Sequence, residues 1–142
     1  MSGSTHAGEG DPGSLRAVTH MHTSHSWDGN IAPARLVDRF EESEIGLALV
    51  TDHDDFEGSL ECRRLVEDRR LDVRIPVAAE IRTDRGDVIV VFEDAVEDLP
   101  AVADLKMWDR LREEVRGRGG LIWLCLLYTS PSPRDWIWHL VC

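Results

Sequence analysis

Between residues 15 and 124, short apolar runs alternate with amphipathic stretches, and each predicts an element. Residues 15–22 read as a strand. After Pro33, the positions of Leu36, Val37 and Phe40 have helical spacing, so 33–44 predicts a helix with Pro33 in its first turn and Gly46 as its stop. Residues 47–51 form a short apolar run, the mark of a buried strand. Residues 59–70 predict a second amphipathic helix that buries Leu60, Leu65 and Val66. A third strand is expected over 73–80 and a fourth over 87–92, after a turn at Asp84-Arg85-Gly86. A third helix is expected over 100–116, carrying Val102, Leu105, Trp108, Leu111 and Val115. Gly119-Gly120-Leu121-Ile122-Trp123-Leu124 opens a further strand. Strand alternating with helix argues for an α/β fold with a mostly parallel sheet.

The two ends do not follow this pattern. Residues 1–14 are rich in Gly and Ser without apolar period, which predicts a disordered tail and sets His6 aside as a ligand. From Cys125 onward no helix or strand period fits. Residues 125–135 resemble the conceptual translation of a sequencing-library transposon adapter, and His139-Leu140-Val141-Cys142 is similar to translated primer sequence. That resemblance implies a non-native tail over 125–142, with the domain proper at 15–124. A Pro/Ser-rich tail with Tyr128, Trp136 and Trp138 is the alternative, and resequencing of the locus separates the two.

Composition narrows the function classes. A chain of 142 residues holds one ordinary domain. Its formal net charge is −11, and Lys106 is the only lysine among sixteen basic residues. No basic patch is present, which argues against a nucleic-acid partner. Cys62, Cys125 and Cys142 have no paired spacing, so neither a disulfide framework nor a zinc knuckle is indicated, and Cys62 reads as a small helix residue. No apolar run reaches membrane-spanning length and no signal-peptide pattern opens the chain, so the expectation is a soluble cytoplasmic protein without a membrane partner. The oligomeric state is left open.

The chemistry is concentrated at strand ends. In a strand, residues i and i+2 share a face, so His20 and His22 offer two imidazoles to one ion. Asp28 follows on a loop that Gly29 lets turn tightly. His53 stands at the end of the second strand, flanked by Asp52 and Asp54, and Glu80 ends the third, where one carboxylate can bridge two ions. Imidazoles mixed with carboxylates suit zinc, manganese or iron better than calcium or magnesium. Each residue also has a plainer reading: a pair of histidines on a polar loop, a solvated turn or helix N-cap at Asp52-His53-Asp54, an exposed charge at Glu80. His25 reads as a residue beside the site or in solvent. Their joint placement after strands, the functional end of α/β folds, favours the metal reading.

These motifs resemble a known family. His20-Met21-His22-Thr23 through Ser26-Trp27-Asp28-Gly29 is similar to the first motif of the PHP (polymerase and histidinol phosphatase) domain. Val50-Thr51-Asp52-His53-Asp54 with Gly58 resembles its second, and Ala79-Glu80-Ile81 with Gly86 and the apolar residues 88–92 its bridging-glutamate segment. Residues 119–124 look like the approach to a later His-Pro motif. The resemblance covers about residues 15–124 and implies the first half of a distorted (β/α)7, TIM-like barrel. It further implies a centre of two or three divalent ions (manganese, zinc or iron). His20 and His22 would hold one ion and Glu80 would be shared with a second. Asp28 and His53 would belong to the third, and Asp52 would orient a ligand. The family's later histidines and its Asp-x-His pair have no counterpart here. The implied activity is metal-dependent hydrolysis of a small phosphate ester, in a parent protein, with the 142-residue fragment inactive by itself. A nuclease or proofreading module and a non-catalytic metal- or ligand-binding domain are the alternatives.

Overall fold

The computed structural model describes residues 15–93 and 97–124, so the expectations for 1–14, His6 and 125–142 lie outside the described residues. Strand β1 (Ala17–Met21), helix α1 (Pro33–Glu42) and strand β2 (Leu47–Val50) form a βαβ unit, with β1 and β2 parallel. Helix α2 (Glu57–Arg69) carries the chain to β3 (Val77–Thr83). Strands β2 and β3 meet in parallel at two isolated bridges, Leu47 with Arg74 and His53 with Glu80. Beyond β3 the direction of the sheet changes. β4 (Gly86–Phe92) pairs antiparallel with β3, and β5 (Leu121–Leu124) antiparallel with β4.

The expected mostly parallel sheet therefore holds only as far as β3. Thr83 pairs with Gly86 across Asp84-Arg85. Two residues cannot make a crossover, so the chain must turn back in a hairpin.

The single helix expected over 100–116 is two elements, a 3-10 turn at Val102–Leu105 and α3 at Trp108–Gly117. Asp84, at the tip of the hairpin, separates them. Its N–H donates to Lys106 O at 2.9 Å, and its Oδ1 accepts from the Trp108 N–H at 2.7 Å. The carboxylate thus caps α3 from a neighbouring element, while the Asp84 backbone N–H occupies a carbonyl the helix would have used. Helix α1 ends at Glu42, before the expected Glu44 and Gly46: Ser43 is its C-cap and Glu44 is left-handed at φ 54°. β3 starts later than expected, at Val77: Pro76, just before it, has no N–H for a ladder.

Two apolar clusters hold the fold. Leu36, Val37 and Phe40 of α1 meet Ala48 and Val50 of β2 and Cys62 and Val66 of α2. Val77, Ala79 and Ile81 of β3 pack with Val88, Val90 and Phe92 of β4 and with Leu105, Leu111 and Val115. Each fully buried side chain of this size contributes roughly 1.5–3 kcal/mol. Cys62 is part of this packing: burial, aided by the charges of Asp52 and Glu61, pushes its thiol up to about 12. Among the described residues, no helix is long and apolar enough to cross a membrane.

Candidate metal centre

The ends of β1 and β2 converge on the middle of β3: Glu80, expected to end its strand, is followed by three more strand residues because the hairpin ladder with β4 continues to Thr83. His20 and His22 leave β1 on one side, as the period of two requires, with their Nε2 atoms 2.9 Å apart. Glu80 alternates with Val77, Ala79 and Ile81, which face the second core, so its carboxylate lies on the opposite side of β3. It is 3% exposed. Its Oε2 stands 3.0 Å from His20 Nε2, 3.1 Å from His22 Nε2 and 3.7 Å from His53 Nδ1. His53 reaches this point through the backbone. The Glu80 N–H donates to Asp52 O at 3.1 Å and the Asp54 N–H to Glu80 O at 2.8 Å, which sets His53 beside Glu80. Asp54 is left-handed at φ 54°, a region an aspartate enters more readily than a bulky residue.

The loop after His22 folds back on itself to bring in Asp28. The Ser26 N–H donates to Thr23 O and the Gly29 N–H to Ser26 O, each at 3.1 Å. Asp28 then lies with Oδ1 and Oδ2 at 2.9 and 2.8 Å from His22 Nδ1, and with Oδ2 3.3 Å from His53 Nε2. Gly29 is required by a close approach: a Cβ there would fall 1.9 Å from Thr23 O. Burial alone would raise the Asp28 carboxyl. Hydrogen bonds from Ser26 and His22, with the charges of His22 and His53, outweigh it and hold the group at about 2.

Asp52, expected to orient a ligand, is hydrogen-bonded to Thr23. It is 1% exposed and accepts from the Thr23 N–H at 2.6 Å and the Thr23 hydroxyl at 2.7 Å. It acts on the residue that follows His22, through the backbone of the loop. His25 turns away, with Nε2 2.8 Å from Glu61 Oε2 on α2.

The sequence reading missed three residues here. Ser26 is buried; its hydroxyl donates to Asp28 Oδ1 at 2.6 Å and accepts from the His53 N–H at 3.2 Å. Thr23 joins the first motif to Asp52. Trp27 stacks on His53, with ring centroids 5.5 Å apart and planes 19° from parallel. Ser26 and Trp27 stand inside the first motif, but a small hydroxyl and an indole carry no ligand signal of their own.

The donor set fits a divalent ion. Two groups have donor atoms all within 4.8 Å of one another: His20, His22 and Glu80, and His22, Asp28 and His53. Nitrogen and carboxylate oxygen in this proportion suit zinc, manganese or iron. His22 belongs to both groups. With its Nε2 turned to an ion, its Nδ1–H is left to Asp28, and that hydrogen bond fixes the ring.

A search of protein-family models gives no match. The chain is 26% identical over 117 residues to an uncharacterized protein of Methanocaldococcus jannaschii, covering 75% of this chain and 64% of that protein. It thus spans just under two thirds of that relative. A two-domain protein from Bacteroides vulgatus, containing a predicted PHP-like metal-dependent phosphoesterase, superposes with a TM-score of 0.61 at 20% identity, over 76% of this chain and 34% of that one. The fold is PHP-like. The mixed α/β arrangement of β1 to β5 is a partial TIM-like fold of the PHP type. A likeness to an amidohydrolase of Chromobacterium violaceum, with bound sulfate and no metal, has a TM-score of 0.40 at 27% identity over 54% of this chain and 27% of that one, too low to bear on the fold.

Proposed function

We propose that residues 15–124 are the metal-binding part of a PHP-type phosphoester hydrolase whose substrate is a small phosphate ester. The observation that carries this reading is the convergence of His20, His22 and Glu80 donors, with His53 and Asp28 adjoining. His20, His22 and Glu80 would hold one ion, and His53 with Asp28 a neighbouring one. Asp52 positions His22 through Thr23. Bound divalent ions would activate a water and neutralise phosphoryl oxygens.

The protein's own groups support that chemistry. Glu80 places a buried negative charge against three imidazoles, which offsets part of the ions' charge. Asp28 stays ionised through the neutral range, so it remains an acceptor for His22 Nδ1. The net charge of −11 does not oppose an anionic substrate, because bound cations dominate the local field. Manganese, zinc and iron all suit the donors.

The test uses the whole protein, with manganese or zinc and phenyl phosphate. Metal-dependent turnover that disappears in the His20→Ala/His53→Ala double variant is expected. Turnover that survives in that variant would place the chemistry elsewhere. Bound metal with no hydrolysis of any phosphate ester would make this a binding module.

A further inference from the structure

Trp27 is 80% exposed, although it lies between a buried serine and an aspartate of the metal centre. Exposed apolar side chains scattered singly over a surface need no explanation. This one differs in its surroundings. One face of the indole lies against the His53 imidazole, close to parallel. Its chain neighbour Ser26 is fixed at both ends, to Asp28 and to the His53 backbone, so the base of the ring is held. Asp28 itself is tied to His22 and His53. The indole is therefore anchored to the rim of the metal centre and leaves most of its surface to solvent.

We propose that Trp27 is a substrate platform that selects phosphate esters whose alcohol part carries a flat ring. The proposal rests on the phosphoesterase reading for the position of the phosphoryl group. With phosphoryl oxygens on an ion held by His53 and Asp28, the ester's organic part would lie near the indole stacked on His53. A planar group stacks there in offset or edge-on geometry and covers apolar surface on both rings. A short alkyl group covers little of it. Stacking of this kind strengthens binding by up to about tenfold.

Phenylphosphonate and methylphosphonate test the idea without turnover, because neither has an ester bond. Their binding to the manganese-loaded whole protein is measured by calorimetry, in the native form and in Trp27→Ala and Trp27→Phe. Phenylphosphonate is expected to bind about tenfold more tightly than methylphosphonate. The two affinities converge in Trp27→Ala, and Trp27→Phe restores most of the difference. Equal affinities in the native protein, or a preference that survives Trp27→Ala, overturn the platform and leave the phosphoesterase reading standing. A Trp27-dependent preference without hydrolysis of any phosphate ester overturns the phosphoesterase reading and leaves the platform. If neither phosphonate binds, both fall.

Discussion

Asp52 takes both polar hydrogens that Thr23 offers, the backbone N–H on one carboxylate oxygen and the hydroxyl on the other, at 2.6 and 2.7 Å. Both residues are almost fully buried. One strand end is thereby tied to the next, one residue past His22 and one residue before His53. The clamp fits because α2 presents Gly58 at this point: a Cβ there would lie 1.8 Å from Asp52 Oδ2.

Asp52→Asn should destabilise the fold by about 1.5–3 kcal/mol, since a buried charged acceptor of two hydrogen bonds is lost. Gly58→Ala should cost at least as much, because the pinned carboxylate cannot retreat. The two changes act on one contact, so the double variant should be less destabilised than their sum. Urea denaturation of the four proteins measures this. Strict additivity would mean that Gly58 and Asp52 do not meet.

Metal should stabilise the fold. An ion that binds the folded chain alone adds about 2.7 kcal/mol at a free concentration of one hundred times its Kd. For a domain of this size that is a rise in Tm on the order of 10 °C. Manganese or zinc should produce it, a chelator should reverse it, and the His20→Ala/His53→Ala double variant should not show it. Differential scanning calorimetry with matched metal content provides the check. An equal rise in the double variant would put the ion elsewhere.

Ser26→Ala should lower metal affinity ten- to hundredfold, the usual effect of removing a group that orients a ligand. The hydroxyl holds Asp28 and receives the His53 N–H, so its loss frees both at once. Competition with a chromogenic chelator reads the affinity, while the melting point of the metal-free protein reads the structural cost. An unchanged affinity would show that Asp28 and His53 are fixed without it.

The candidate donors were legible because their signal is local. His20 and His22 share a strand side through the period of two, and the motif at Asp52-His53-Asp54 ends an apolar run. The third donor segment was found because Glu80 follows one. Other features depend on contacts remote in sequence. Asp84 divides the expected helix over 100–116 by capping α3 from a hairpin tip 24 residues away. Ser26 gains its role only when His53 arrives beside it. Asp52 was read as orienting a ligand, but its partner, Thr23, comes beside it only in the fold. The antiparallel return of β4 was implicit in the two-residue turn, but the alternation of strands and helices before it pointed to parallel pairing.

Asp28 should leave a mark on acid unfolding. Its carboxyl is held at about 2, below its ordinary 3.8. A depressed folded value contributes stability that is complete above 3.8 and is lost as pH falls through about 2. Relative to Asp28→Asn, metal-free wild type should show an advantage that is constant in the neutral range and shrinks between those two values. Denaturant midpoints measured across that window decide it. An advantage that stays constant would mean that the carboxyl titrates normally.

The pair formed by His25 and Glu61 should act in the opposite direction. Glu61 is hydrogen-bonded to the imidazole and, with the charges of Glu61, Asp55 and Asp52, raises its pKa above 6.5 against the opposing effect of burial. A raised folded value gives stability that is present in full below 6.5 and is lost as pH rises through the raised value. Both side chains are partly exposed, at 31% and 45%, so the contribution belongs with surface pairs, about 0.2–1 kcal/mol. Glu61→Gln removes the charge and keeps the shape. In that variant the His25 Cε1–H resonance should titrate at lower pH than in wild type, and the small stability advantage of wild type should be confined to the acid side of the His25 midpoint. A His25 titration unmoved by Glu61→Gln would show that the contact does not persist in solution.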